Sequence, residues 1–141
     1  MKKAMQSALF LALALLLLLT LCACGKNISG DPWTTALYKE DTTLGSGSVT
    51  FFLEVKADGR SVTFTVSTDE TVLGDALLTS NLIAGDEGDY GLYIKSVNGI
   101  PADYDVDGYY WAIYENGEYL MTGVDGTEII PGGHYELVRE K

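Results

Sequence analysis

From residue 49 the chain alternates between apolar and polar side chains. Val49, Phe51, Leu53 and Val55 fall on one side of an extended backbone, and Thr50, Phe52, Glu54 and Lys56 on the other. Asp58-Gly59 interrupts this period, and Val62, Phe64 and Val66 then resume it against Ser61, Thr63, Thr65 and Ser67. A period of two on either side of Asp-Gly predicts a β-hairpin, because the tight turn needs positive φ. Ser67 and Glu70 have the spacing of a capping box, and Val72, Leu73, Ala76 and Leu77 recur at helical intervals. They predict a short amphipathic helix ending near Asn81. Gly74 inside it costs ~1 kcal/mol relative to alanine, so close packing against a sheet is the expected reason for a glycine there. Residues 85–89 (Gly-Asp-Glu-Gly-Asp) read as an acidic loop. Strands are expected over 92–97, 109–115, 118–122, 128–130 and 135–139, with turns at Asn98-Gly99, Asn116-Gly117 and Pro131-Gly132-Gly133. One hairpin, one helix and about four or five further strands give an α+β domain with a mixed sheet and the helix on one face.

The front of the chain follows a different pattern. Lys2 and Lys3 precede twelve residues, 8–19, with nothing polar among them. That run is short of the ~20 residues that cross a bilayer, and it suits the ~7–15 of a signal-peptide core. Leu21-Cys22-Ala23-Cys24-Gly25 resembles the bacterial lipobox, in which an aliphatic residue and two small ones precede the cysteine to be acylated. The resemblance makes Cys24 the lipidated residue, since Cys22 would follow the bulky Leu21. The expected layout is a lipoprotein signal peptide over 1–23, an acylated Cys24 with a flexible tether over 24–47, and a domain over 48–141. The tether expectation rests on Gly25, Gly30, Gly45 and Gly47 set among Ser, Thr, Asn and Pro with no steady period. Trp33, Leu37 and Tyr38 stand out there, either carried along the tether or docked on the domain.

Composition and charge narrow the function. Of 141 residues, 20 are acidic and nine basic, for a net charge of −11. Loss of Lys2 and Lys3 with the signal would take this to −13. So acidic a surface repels phosphate backbones, which argues against nucleic acid as a partner. One histidine and two cysteines leave little for a metal centre or a thiol redox pair. His134 lies beside a turn, no nucleophile carries a local motif, and neighbouring acids such as Asp86/Glu87 or Glu115/Glu118 are expected by chance in so acidic a chain. No enzyme and no metal cofactor are expected.

Candidate chemistry concentrates in the aromatic residues. Seven of the nine tyrosines lie between positions 90 and 119, beside Trp111. A two-residue turn at Asn116-Gly117 would pair Tyr114 with Tyr119, Ala112 with Met121 and Tyr110 with Gly123, leaving Trp111, Ile113 and Leu120 to face the core. Tyr110, Tyr114, Tyr119 and Met121, with Tyr93, are the candidate ligand-binding residues, because rings with phenol hydroxyls can stack on a flat ligand, a sugar or another protein. Cross-strand pairing alone also favours tyrosine in strands. Asp103, Asp105, Asp107 and Gly108 match the opening of a calcium loop, but its twelfth position is Tyr114 and not glutamate, so an acidic turn is the competing reading.

Four segments in order resemble the DUF4430 family, the transcobalamin C-terminal-like domains: residues 71–77 (Thr-Val-Leu-Gly-Asp-Ala-Leu), 90–99 (Tyr-Gly-Leu-Tyr-Ile-Lys-Ser-Val-Asn-Gly), the Tyr-Trp strand and turn of 109–119, and Gly123-Val124-Asp125 with the closing Pro131-Gly132-Gly133. The resemblance covers about 48–141. It implies a β-grasp domain of the soluble-ligand-binding kind, which in transcobalamin and intrinsic factor covers one face of bound cobalamin. A helical barrel supplies the other half of that site, and this chain is too short to contain one. The resemblance therefore implies cobalamin or a related corrinoid as ligand, and a helical-barrel protein or transporter component as partner. The expected function is an extracytoplasmic ligand-binding lipoprotein, held on the outer face of the cytoplasmic membrane through the Cys24 lipid. The alternative is a structural or protein-interaction module with no small ligand.

Overall fold

The computed structural model describes residues 30–141. The signal peptide expected over 1–23 and the Cys24 expected to be acylated lie outside them. After a 3-10 turn at Pro32–Thr35 come β1 (Thr42–Gly45), β2 (Val49–Ala57), β3 (Arg60–Thr68) and helix α1 (Leu73–Thr79). β4 (Ile83–Gly88), β5 (Gly91–Val97), β6 (Ile100–Pro101), the one-turn helix α2 (Tyr104–Asp107), β7 (Tyr110–Glu115), β8 (Glu118–Tyr119) and β9 (His134–Glu140) follow. One mixed sheet runs in the order β1-β3-β2-β9-β7-β8, and a second runs β4-β5-β6. The fold is α+β. Among the described residues no helix is long and apolar enough to cross a membrane.

The first hairpin has the expected register, with Val55 opposite Val62 and Phe51 opposite Val66. Asp58, Asn98 and Asn116 and the glycine after each all take positive φ, the geometry that matches the right-handed twist of the flanking strands. Phe51, Leu53, Val55, Val62, Phe64, Val66, Tyr135 and Leu137 are buried on one face of the large sheet. They form a single core with Leu73, Ala76 and Leu77 of α1 and with Ile83, Ile94, Val97 and Ile100 of the small sheet.

Several local expectations are corrected. Ser67 and Thr68 remain in β3, and α1 begins after Val72 with no side-chain cap. Its first turn is held by tertiary bonds instead, with Leu73 N–H donating to Thr127 O at 2.9 Å. The acidic stretch 85–89 is largely strand, since β4 reaches Gly88 and pairs with β5 across a bulge at Ala84/Gly85. Residues 128–130 are no strand; Glu128 makes one isolated bridge to Val72. Six strands, some of two residues, follow α1.

The stretch before residue 48 departs most from expectation. Residues 31–45 pack on the domain, so the spacer expected over 24–47 does not extend through them. Trp33 is 4% exposed, and its indole N–H donates to Ala57 O at 2.8 Å. Arg60 stacks over its ring at 5.1 Å and pairs with Asp31. The buried Asn98 side chain bonds both main-chain groups of Tyr38, accepting from N–H at 2.9 Å and donating to C=O at 2.8 Å. β1 then joins β3 in parallel. Asymmetric anchors of this kind leave no period in a sequence.

Candidate functional site

The site originates where β8 leaves β7. Tyr114 pairs with Tyr119 as the turn dictates, and the ladder ends with Leu120 N–H donating to Ile113 O at 2.9 Å. The expected pairs Ala112–Met121 and Tyr110–Gly123 do not form. The chain instead turns at Gly123 (φ 65°) into a 3-10 turn at Val124–Gly126 that packs on α1. Gly74 makes this possible: a Cβ there would lie 2.6 Å from the Asp125 carboxylate and 3.3 Å from the Val124 carbonyl carbon. Asp125 also accepts the Leu92 N–H at 2.6 Å, which ties the segment to β5.

This detour opens a cleft of about 380 Å³ between β5, β7 and residues 119–124. Tyr90, Tyr93, Tyr110, Trp111, Tyr119 and Met121 line it, over a floor that includes Leu92, Ile94, Ile113 and Val124. No charged side chain is among its lining residues, although the chain carries 20 acids and nine bases. Trp111 is 8% exposed, and its indole N–H has no acceptor among the described residues. The Tyr93 hydroxyl accepts from Tyr104 N–H at 3.3 Å and keeps its own proton as a donor.

Of the expected ligand residues, Tyr93, Tyr110, Tyr119 and Met121 line this cleft and Tyr114 does not. Tyr114 lies on the outer sheet face, packed edge-on against Tyr119 with ring centroids 5.5 Å apart. Glu140 accepts from both phenols there, from Tyr114 at 2.7 Å and Tyr110 at 3.1 Å. That hydrogen bond, with burial second, pushes the Tyr114 hydroxyl up to about 12 and raises Tyr110. A proton bound more tightly in the folded state stabilises it below the ordinary phenol pKa of about 10, and this contribution is lost as pH rises toward 12. Glu140→Gln is therefore expected to bring the Tyr114 ionisation down toward 10, read by phenolate absorbance in an alkaline titration, and to weaken the loss of stability over that window.

Sequence reasoning missed Tyr90, Leu92 and Val124; its assignment of Trp111 to the core holds, and the same ring also borders the cleft. Tyr90 already belonged to the aromatic cluster and is fully exposed. The indole of Trp111, polar at one edge, was the available signal that this position is more than packing. Two acids of the calcium-like segment, Asp103 and Asp107, have other partners. Asp103 caps α2 by accepting the Asp105 N–H at 3.2 Å and pairs with Lys95 at 3.2 Å, while Asp107 binds Arg139 at 3.0 Å. Among the described residues no group of three His, Cys, Asp or Glu side chains is placed to hold a metal ion.

Residues 69–134 match the family model described as "Domain of unknown function (DUF4430)". Among solved structures, a "putative metal binding protein" from Ruminococcus gnavus is 32% identical, with a TM-score of 0.63 over 67% of this chain and 98% of that one. Haptocorrin in complex with Cbi is 21% identical, with a TM-score of 0.50 over 70% of this chain and 26% of that one, a likeness of fold. No curated protein matches the chain. The matched span runs from the turn before α1 to the start of β9 and so takes in the cleft, and the chain belongs to the DUF4430 family.

Proposed function

We propose that this protein is a lipid-anchored, extracytoplasmic ligand-binding protein and not an enzyme. The observation that carries the reading is the charge-free aromatic cleft between β5, β7 and residues 119–124. Rings around an apolar floor, with an unpartnered indole N–H, form a recognition surface whose lining holds no acid–base pair. The fold shared with haptocorrin supports a corrinoid as the first ligand to try. A cleft of about 380 Å³ holds only part of so large a ring system, which fits a second protein completing the enclosure. The metal-binding name of the Ruminococcus gnavus relative finds no matching donor set among the described residues.

A soluble form comprising residues 25–141, titrated into cobalamin and cobinamide, is expected to shift the corrinoid absorbance saturably. Tyr93→Ser combined with Tyr119→Ser should abolish the shift while the far-ultraviolet circular dichroism is kept, because both rings are substantially exposed. A shift that survives the double change removes the cleft from the reading. Anchoring is tested separately: Cys24→Ser should move the protein from the membrane fraction to the soluble one, and retention at the membrane would exclude acylation there.

A further inference from the structure

The early departure of β8 leaves part of the β7 edge unpaired. Alternate residues of an antiparallel strand direct both main-chain groups to the same neighbour. Because Leu120 bonds Ile113 O, the residues of β7 that face this side are the odd-numbered ones, and Trp111 is the next after Ile113. The Ile113 N–H and the Trp111 N–H and C=O have no main-chain partner there among the described residues. On its other side β7 is fully laddered to β9, from Tyr110–Glu140 to Glu115–Tyr135. Trp111 and Ile113 border the cleft, so the open edge and the aromatic surface are one feature.

We propose that this edge takes an extended, uncharged segment of a second polypeptide by strand addition. Three observations select that occupant. Unpaired N–H and C=O groups in strand geometry are complemented by another strand, whereas an ion or phosphate would leave the C=O or the N–H unmatched. The surrounding side chains are rings and aliphatics without charge, which suits apolar or hydroxylated side chains at alternate positions of an added strand and leaves a charged one desolvated and unpaired. The Trp111 indole N–H, buried beside the cleft and without an acceptor, supplies a further donor for a carbonyl. The β4 edge of the small sheet carries Asp86 and Glu87, which discourage the same pairing there. The inference rests on the reading of the cleft as the binding site and names how a completing partner would enter it.

The test uses the full-length chain in detergent micelles, isotope-labelled at its two tryptophans and its isoleucines. The probe is a blocked Val-Thr-Val-Thr-Val-Thr peptide. Saturable shifts of the Trp111 main-chain and indole N–H signals and of the Ile113 N–H are expected, with the Trp33 indole, already bonded to Ala57, unmoved. A version N-methylated at alternate residues, on the edge that would face β7, should bind at least about tenfold more weakly, because it loses the ladder bonds. Equal binding by the methylated peptide or by hexaproline, which has no N–H to offer, overturns strand addition. Cobinamide shifting these signals while the peptide does not also overturns the inference and leaves the ligand-binding reading standing. No shift with either probe overturns both.

Discussion

Replacing Trp33 by alanine is expected to lower the unfolding free energy by about 3–5 kcal/mol, the range for deleting a buried large aromatic side chain. The ring is 4% exposed and belongs to the same core as Phe64 and Leu53. Its removal also leaves Ala57 O without the indole donor and Arg60 without the ring it stacks on. Urea unfolding read by circular dichroism measures the change as a lower midpoint at unchanged slope. The outcome bears on where the domain begins. If residues 31–45 were a passive spacer, the variant would unfold at the same midpoint as the parent protein.

Substituting Arg139 by methionine is expected to cost a similar amount, about 3–5 kcal/mol, because it strands a carboxylate that the fold has already taken out of water. The Arg139 and Asp107 side chains are 7% and 13% exposed and meet at 3.0 Å. The guanidinium also reaches Asp58 at 3.5 Å, donates to Pro101 O at 2.8 Å and lies 3.7 Å over the Tyr109 ring. It thereby binds the end of β9 to α2, β6 and the first hairpin turn. Adding Asp107→Asn to the methionine variant should recover part of the loss, since an uncharged amide costs less to bury than an unpaired carboxylate. If the single and double variants unfold together, the penalty arises from lost packing and not from the stranded charge.

The sequence was most legible where one local rule decided the outcome. The β2–β3 hairpin follows from alternation and a turn dipeptide, and the Tyr114–Tyr119 pair follows from Asn116-Gly117. Both are short-range, so no distant residue has to be known. Extending the second pairing to Met121 and Gly123 failed because the competing contact is remote: Asp125 reaches β5 and the backbone beside it reaches Gly74, and together they draw the chain away from β7. The capping box failed for a related reason, since the third strand keeps Ser67 and Thr68 in its ladder with β2. Tyr93, Tyr110, Tyr119 and Met121 border the cleft from three separate segments, whereas Tyr114, which shares Glu140 with Tyr110 and packs on Tyr119, stays just outside it.

What the amino-acid order determined by itself is therefore local: the two alternating strands of the first hairpin, where the Asp-Gly and Asn-Gly turns fall, and which alternate residues beside them seek the core. These choices depend on backbone sterics and a two-residue period that operate within a few positions. The tertiary structure alone decided that the front segment seals one end of the core, and that β8 stops after two residues so that a cleft exists. Both outcomes balance contacts between residues far apart in the chain, such as Trp33 on Ala57 and Asp125 on Leu92, and a local pattern carries no record of that balance.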